Sequence, residues 1–330
     1  MSVLETTTRW LDETKTSLNE VDSLMKLNHP DENNPNGPSY LSWNITTAEG
    51  DPIKASYAGN ELFYRLYRFS FYQVPQGASI DDSLTSFYSG WILVYELKQK
   101  IHYIINRNSD SKRILRKILK YTGKNELIQE STRAYGDLYV WLISKVYGQN
   151  NLIENSDDTL SDITIDEIRG FKGKTEDLLN TVSAEGPSVM NILSTLSFLI
   201  ESQNLRQITF DLKYADLPSL EVMLSTSNTV SLNINEFMAM NPNILDQDIA
   251  IAKAFLTFYL EILPVVVQNY FGELDSGAWG KDGCVTFLQQ VATALSEKVK
   301  TRIGDLEENP DQLVFNTKDS ESSECEEGKA

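Results

Sequence analysis

Cysteine and histidine are almost missing from this chain, with two of each in 330 residues. The histidines are His29 and His102, so a zinc site or a histidine-based catalytic triad lacks its raw material. Cys284 and Cys325 stand far apart, and Cys325 lies in an acidic terminal stretch. No structural disulfide is expected, and a reducing cytoplasm is the expected location. Positive charge is scarce too: 29 Lys and Arg face 47 Asp and Glu, a formal net charge of −18. Diffuse attraction to nucleic acid or a membrane is excluded, and any polyanion must be met at a defined patch. The most apolar window, Phe255 to Val267, is interrupted by Glu261 and Pro264 and is too short to cross a bilayer, so no membrane partner is expected. Gly-x-Ser-x-Gly, Cys-x-x-Cys and Gly-x-Gly-x-x-Gly are all absent. Gly173-Lys174-Thr175 lacks the glycine that a phosphate-binding loop needs five positions earlier, where Ile168 stands. No cofactor is expected.

With 41% hydrophobic residues, the chain has ample material for a core. Leu4, Leu11, Leu18 and Met25 recur every seven residues with Val21 interleaved, which predicts an N-terminal amphipathic helix over Val3 to Leu27. Its seam of Leu4, Leu11, Leu18, Val21 and Met25 is a candidate surface for a protein partner. A Pro- and Asn-rich linker from His29 to Pro38 follows. Strands are predicted at Tyr40 to Thr46, around Phe63 to Phe71, at Trp91 to Leu97 and at Ile101 to Asn106, the last two turned by Lys98-Gln-Lys100. Helices are expected over Ser111 to Tyr121 and Tyr135 to Tyr147.

A polar connector at Asn150 to Asp162 marks a boundary. Beyond it come a strand at Ile163 to Phe171 and a helix at Ser188 to Ser202. A meander at Leu205 to Tyr214, Leu220 to Ser225 and Val230 to Ile234 precedes long helices at Asp248 to Phe271 and Val285 to Ile303. The expected class is α+β, antiparallel sheets covered by helices on one side. The divisions are 1–38 (helix and linker), 39–150, 151–304 and an acidic tail at 305–330, for which disorder is the compositional expectation.

One stretch reverses the overall charge. Between Lys98 and Lys124 there are nine basic residues and one acid, Asp110. On a helix, Lys112, Arg116 and Lys120 lie one turn apart with Arg113 and Lys117 beside them, while Ile114, Leu115, Ile118 and Leu119 face the core. Arg107 precedes the helix, with His102 and Tyr103 available for stacking. Arg107, Lys112, Arg113, Arg116, Lys117 and Lys120 are therefore the candidate contacts to DNA or RNA.

Two fragments point elsewhere. Gly170-Phe-Lys-Gly173 has the Gly-x-x-Gly form of KH-type loops. Glu96-Leu-Lys98 with Asp82 upstream resembles the metal-dependent nucleases of PD-(D/E)xK type, which implies Asp82 and Glu96 as Mg²⁺ ligands and Lys98 assisting the attacking water. The favoured expectation is a non-catalytic accessory or adapter subunit of a bacterial nucleic-acid-directed system, such as defence against phage. The alternatives are a Mg²⁺-dependent nuclease and a pure protein interaction scaffold.

Overall fold

The computed structural model describes residues 4–27, 31–34, 36–48, 50–123, 125–155, 160–174, 181–185 and 204–308. Its N-terminus departs from the sequence expectation. Glu5–Asp12 forms strand β1, and the first helix, α1, is confined to Leu18–Met25. The β-branched run Thr6-Thr7-Thr8 with Trp10 favours extended backbone, and the seven-residue leucine spacing runs across two different elements. Asp12 ends the strand by accepting from Thr14 N at 2.8 Å and Lys15 N at 3.0 Å, and Ser17 then caps α1 by accepting from Glu20 N. The continuous amphipathic helix is thus corrected to a strand plus a short helix. Of the seam residues, Leu18, Val21 and Met25 are buried in the protein's own core, Leu11 lies on β1, and Leu4 precedes it.

Strands β2 (Ser39–Thr47), β3 (Ile53–Tyr57), β4 (Asn60–Val74), β5 (Ser86–Leu97) and β6 (Lys100–Ile105) form one meander. After the short β7 (Leu127–Gln129) and β8 (Leu152–Ile153), a second is built from β9 (Ile163–Lys174), β10 (Thr181–Glu185), β11 (Asn204–Tyr214), β12 (Leu217–Ser225) and β13 (Thr229–Leu232). The path through the sheet is β10-β9-β11-β12-β13-β1-β6-β5-β4-β2. Between the meanders, β1 pairs antiparallel with β13 through Glu5 to Thr8 and with β6 through Thr8 to Asp12. The first strand therefore occupies the middle of the sheet. The β5–β6 hairpin turns on Lys98 and Gln99, whose φ values of 52° and 60° match a type I′ turn.

Helices α2 (Ser111–Ile118), α3 (Gly136–Tyr147), α4 (Ile234–Met240), α5 (Gln247–Thr257), α6 (Leu263–Ser276) and α7 (Lys281–Glu308) surround this sheet. Strand alternation sends Trp91, Leu93 and Tyr95 into a large core with α3, α5 and α6, and Ile92 and Val94 into a second core with α1 and α2. Cover on one side only is thereby corrected: the first meander is sandwiched. Between α5 and α6 a π-helical turn, Phe258–Ile262, precedes Pro264. Proline offers no N–H and crowds the carbonyl four residues back, and the wider turn lets Leu263 N–H reach back to Phe258 O instead. Gln247–Ser276 is long and apolar enough to cross a membrane, but it is mostly buried and serves as core.

Other expectations resolve more finely. Gly170 and Gly173 lie inside β9, paired with β10 and β11, so the Gly-x-x-Gly is strand and not a loop. α7 continues through Glu308, which makes the first residues of the acidic tail helical. The expected helix at Ser188 to Ser202 and the tail from 309 onward lie outside the described residues.

Candidate nucleic-acid interface

The basic segment folds as the sequence suggests up to Ile118 and then departs from it. Ile114, Leu115 and Ile118 are buried in the second core, leaving the cations on the outer side of α2. The helix ends in a Schellman turn, with Tyr121 N–H bonded to Arg116 O at 2.8 Å and Lys120 N–H to Lys117 O at 3.2 Å. This puts Lys120 in the left-handed region, at φ 56°, where glycine is the usual occupant. Lys120 thus leaves the one-turn row that Lys112 and Arg116 begin.

What the sequence did not suggest is the wall opposite. β2 carries a bulge between Leu41 and Asn44, with Ser42 at φ 55°. The bulge resets the alternation, so that Tyr40 and Trp43 both pack on the second core. Trp43 stacks on Phe71 with ring centroids 4.3 Å apart, and Phe71 on Tyr88 at 5.1 Å and 2°, a row of rings across β2, β4 and β5. Arg107 covers the end of this row, 5.5 Å from the Tyr88 centroid and 5.9 Å from Phe69, and donates to Ser89 O.

Between α2 and this wall lies an open groove of about 790 Å³. Lys112, Arg113, Arg116, Lys117 and Lys120 line it together with Trp43 and Tyr121. The cations are not equivalent. Lys117 pairs with Glu32 and sits 4.1 Å from the Tyr40 ring centroid. Arg113 donates to the Tyr40 hydroxyl and, at 3.2 Å, to Gln73 Oε1, with Asp110 3.8 Å away. Among the described residues, Arg116 and Lys120 have no acidic partner, and the Arg116 Nε is shielded from water without a hydrogen bond. Five cations therefore line the groove, but three of them already have contacts within the fold: Lys117, Arg113, and Lys112, which lies 5.8 Å from the Trp10 ring centroid.

Tyr121 is fixed by the strand that replaced the expected helix. Asp12 Oδ2 accepts from Tyr121 Oη at 2.5 Å and from Tyr103 Oη at 2.7 Å. Burial and these bonds raise the pKa of both phenols above the ordinary tyrosine value. Tyr103 is fully buried, and His102 is stacked on Tyr95 at 4.8 Å with Nδ1 2.9 Å from Glu130 Oε2. Neither reaches the groove, and Trp43 and Tyr121 stand where stacking rings were expected. Lys124 lies outside the described residues.

The nuclease-type set does not assemble. Asp82 is exposed in the β4–β5 loop, where its Oδ1 accepts from Leu84 N. Glu96 is near the other end of β5, ten strand residues beyond Ser86, or roughly 33 Å at ~3.3 Å per residue. Its Oε2 accepts from Leu18 N at 3.0 Å, a structural contact at the start of α1. Lys98 sits in the hairpin turn beyond. Among the described residues, no three His, Cys, Asp or Glu side chains are grouped to hold a metal ion. No protein-family model matches the sequence, and a search of curated proteins finds no match.

Proposed function

We propose that this chain is a nucleic-acid-binding accessory protein whose α2 groove takes a short stretch of single strand. Phosphates would lie against Arg116, Lys120 and Lys112, and bases against Trp43 and Tyr121. The observation that carries this reading is the meeting of five cations and two aromatic rings in one groove on a protein of net charge −18. Cations track a phosphate backbone, and flat rings accept any base by stacking. The nuclease alternative finds less support, since Glu96 contacts the start of α1 and Asp82 lies at the far end of β5.

The test is fluorescence anisotropy with a labelled single-stranded 12-mer, a duplex of the same length and an acidic peptide of matched charge. The reading predicts that the single strand binds tightest and that Arg116→Glu with Lys120→Glu removes it. Equal binding of the acidic peptide would make the groove a dock for an acidic protein. No binding of any of the three would end the proposal.

A further inference from the structure

The groove beside α2 holds two cations whose counter-charge the described residues do not supply. Arg116 and Lys120 have no acidic partner there, and the Arg116 Nε is shielded from water without a hydrogen bond. A donor closed off from water and left without an acceptor is costly, so the position calls for an oxyanion. It lies in the stretch where the chain's charge reverses, nine basic residues against one acid from Lys98 to Lys124 on a protein of net charge −18. An anionic segment is drawn to this stretch and repelled by an otherwise acidic body.

The chain itself contains a matching anion. Asp319, Glu321, Glu324, Glu326 and Glu327 put five carboxylates into nine residues with no cation among them. The described residues end at Glu308, and the nineteen residues from there to Glu327 extend to at most roughly 65 Å, against roughly 50 Å across a compact domain of about 300 residues. Topology and composition set aside the other segments outside the described residues. Residues 156–159, 175–180 and 186–203 connect β8, β9, β10 and β11, at the end of the strand path opposite β2, whose Trp43 lines the groove. Residues 1–3, 28–30 and 35 contain no acid, and Glu49 is a single one. The basic residues of α7 nearest the acidic run, Lys298, Lys300 and Arg302, already share their helix with Glu297, Asp305, Glu307 and Glu308.

We propose that the acidic run 319–327 of this same chain docks in the α2 groove, with its carboxylates on Arg116 and Lys120, and must be displaced before another polyanion enters. A guanidinium holds a carboxylate by the same charge-assisted hydrogen bonds that hold a phosphate, so the run imitates a nucleic-acid backbone. The tether keeps it at high local concentration, while each contact is weak and screened by salt. The dock rests on the groove's own geometry; its effect on single-strand affinity rests on the function proposed above.

Carbodiimide coupling of the full-length protein, which joins a carboxylate to a lysine amine in contact with it, tests the dock without any nucleic acid. Peptide mapping of the monomer by mass spectrometry should find Lys120 joined to an acid within 319–327, with the Glu32–Lys117 pair as the internal control of the fold. Arg116→Glu keeps the Lys120 amine and the control pair, and should lower the Lys120 product about tenfold. Neutralising the run by Asp319→Asn, Glu321→Gln, Glu324→Gln, Glu326→Gln and Glu327→Gln should raise affinity for the single-stranded 12-mer about fivefold at low salt. A Lys120 product that is missing beside an intact control, found only in crosslinked dimers, or matched by equal coupling to Lys298 and Lys300 overturns the proposal. So does a product indifferent to Arg116→Glu, or a neutralised chain that binds the 12-mer no better than a wild type that binds it measurably. If neither form binds the 12-mer, the crosslink alone decides the dock, and the function proposed above falls separately.

Discussion

Trp43 lies nearly parallel to Phe71, 4.3 Å between centroids and 26° between planes, and lines the α2 groove. Under the proposed function a base entering the groove stacks on the Trp43 ring. Trp43→Ala is expected to weaken single-strand binding by about 1–3 kcal/mol, the usual worth of one base–aromatic stack, while leaving the salt dependence unchanged. Anisotropy titrations at two salt concentrations separate the two effects.

Lys120 occupies a left-handed position that costs a non-glycine residue about 1 kcal/mol. Lys120→Gly should therefore raise stability in urea by about 0.5–1 kcal/mol and at the same time lower affinity for the single strand. A purely structural lysine would predict the first effect without the second. Urea melts and anisotropy on one variant decide between them.

Asp22 accepts hydrogen bonds from Arg65 Nη1 at 2.8 Å and Tyr67 Oη at 2.7 Å, with Lys26 at 2.6 Å. Burial pushes its carboxyl up, but Lys26, Tyr67 and Arg65 outweigh that and hold it below the ordinary value. A depressed carboxyl pKa contributes stability that is complete above the unfolded pKa of about 4 and is lost as pH falls through the folded value. Asp22→Asn should cost about 1–3 kcal/mol at neutral pH, because Arg65 is left buried without its carboxylate. The deficit relative to wild type should shrink below pH 4. Urea unfolding at pH 7, 5 and 3 checks the trend.

Gly136 opens α3 against the end of β11, where an added Cβ would stand 2.8 Å from Leu205 O. Exchange of glycine for alanine ordinarily favours a helix. Here the backbone oxygen cannot yield cheaply, so Gly136→Ala is expected to destabilise by about 1–3 kcal/mol, read as a lower urea midpoint.

These elements separate what a sequence can carry from what only folding decides. The β5–β6 hairpin, the apolar side of α2 and the β11–β13 meander were legible because each is set by neighbours within a dozen residues. β1 was not. Leucines at sevenfold spacing imitate a helical seam, and what makes Glu5 to Asp12 a strand is pairing with Thr229 to Leu232 more than 200 positions away. The groove was half legible for the same reason. Its cations cluster in sequence, but Trp43 joins them through a bulge at Ser42 that nothing local announces, and Tyr121 through Asp12. The division at Asn150 to Asp162 is a proposal about independent folding, and limited proteolysis at that connector tests it.

The central claim is that the α2 groove holds a phosphate backbone through Arg116 and Lys120. The most direct measurement is the salt dependence of single-strand affinity for the wild type and for Arg116→Glu with Lys120→Glu, on a shared oligonucleotide. Three phosphate contacts predict a slope of about −2 in log K against log salt for the wild type, and loss of measurable binding in the variant at low salt. A wild-type slope near zero, or a variant that binds as well as the wild type, would contradict the claim.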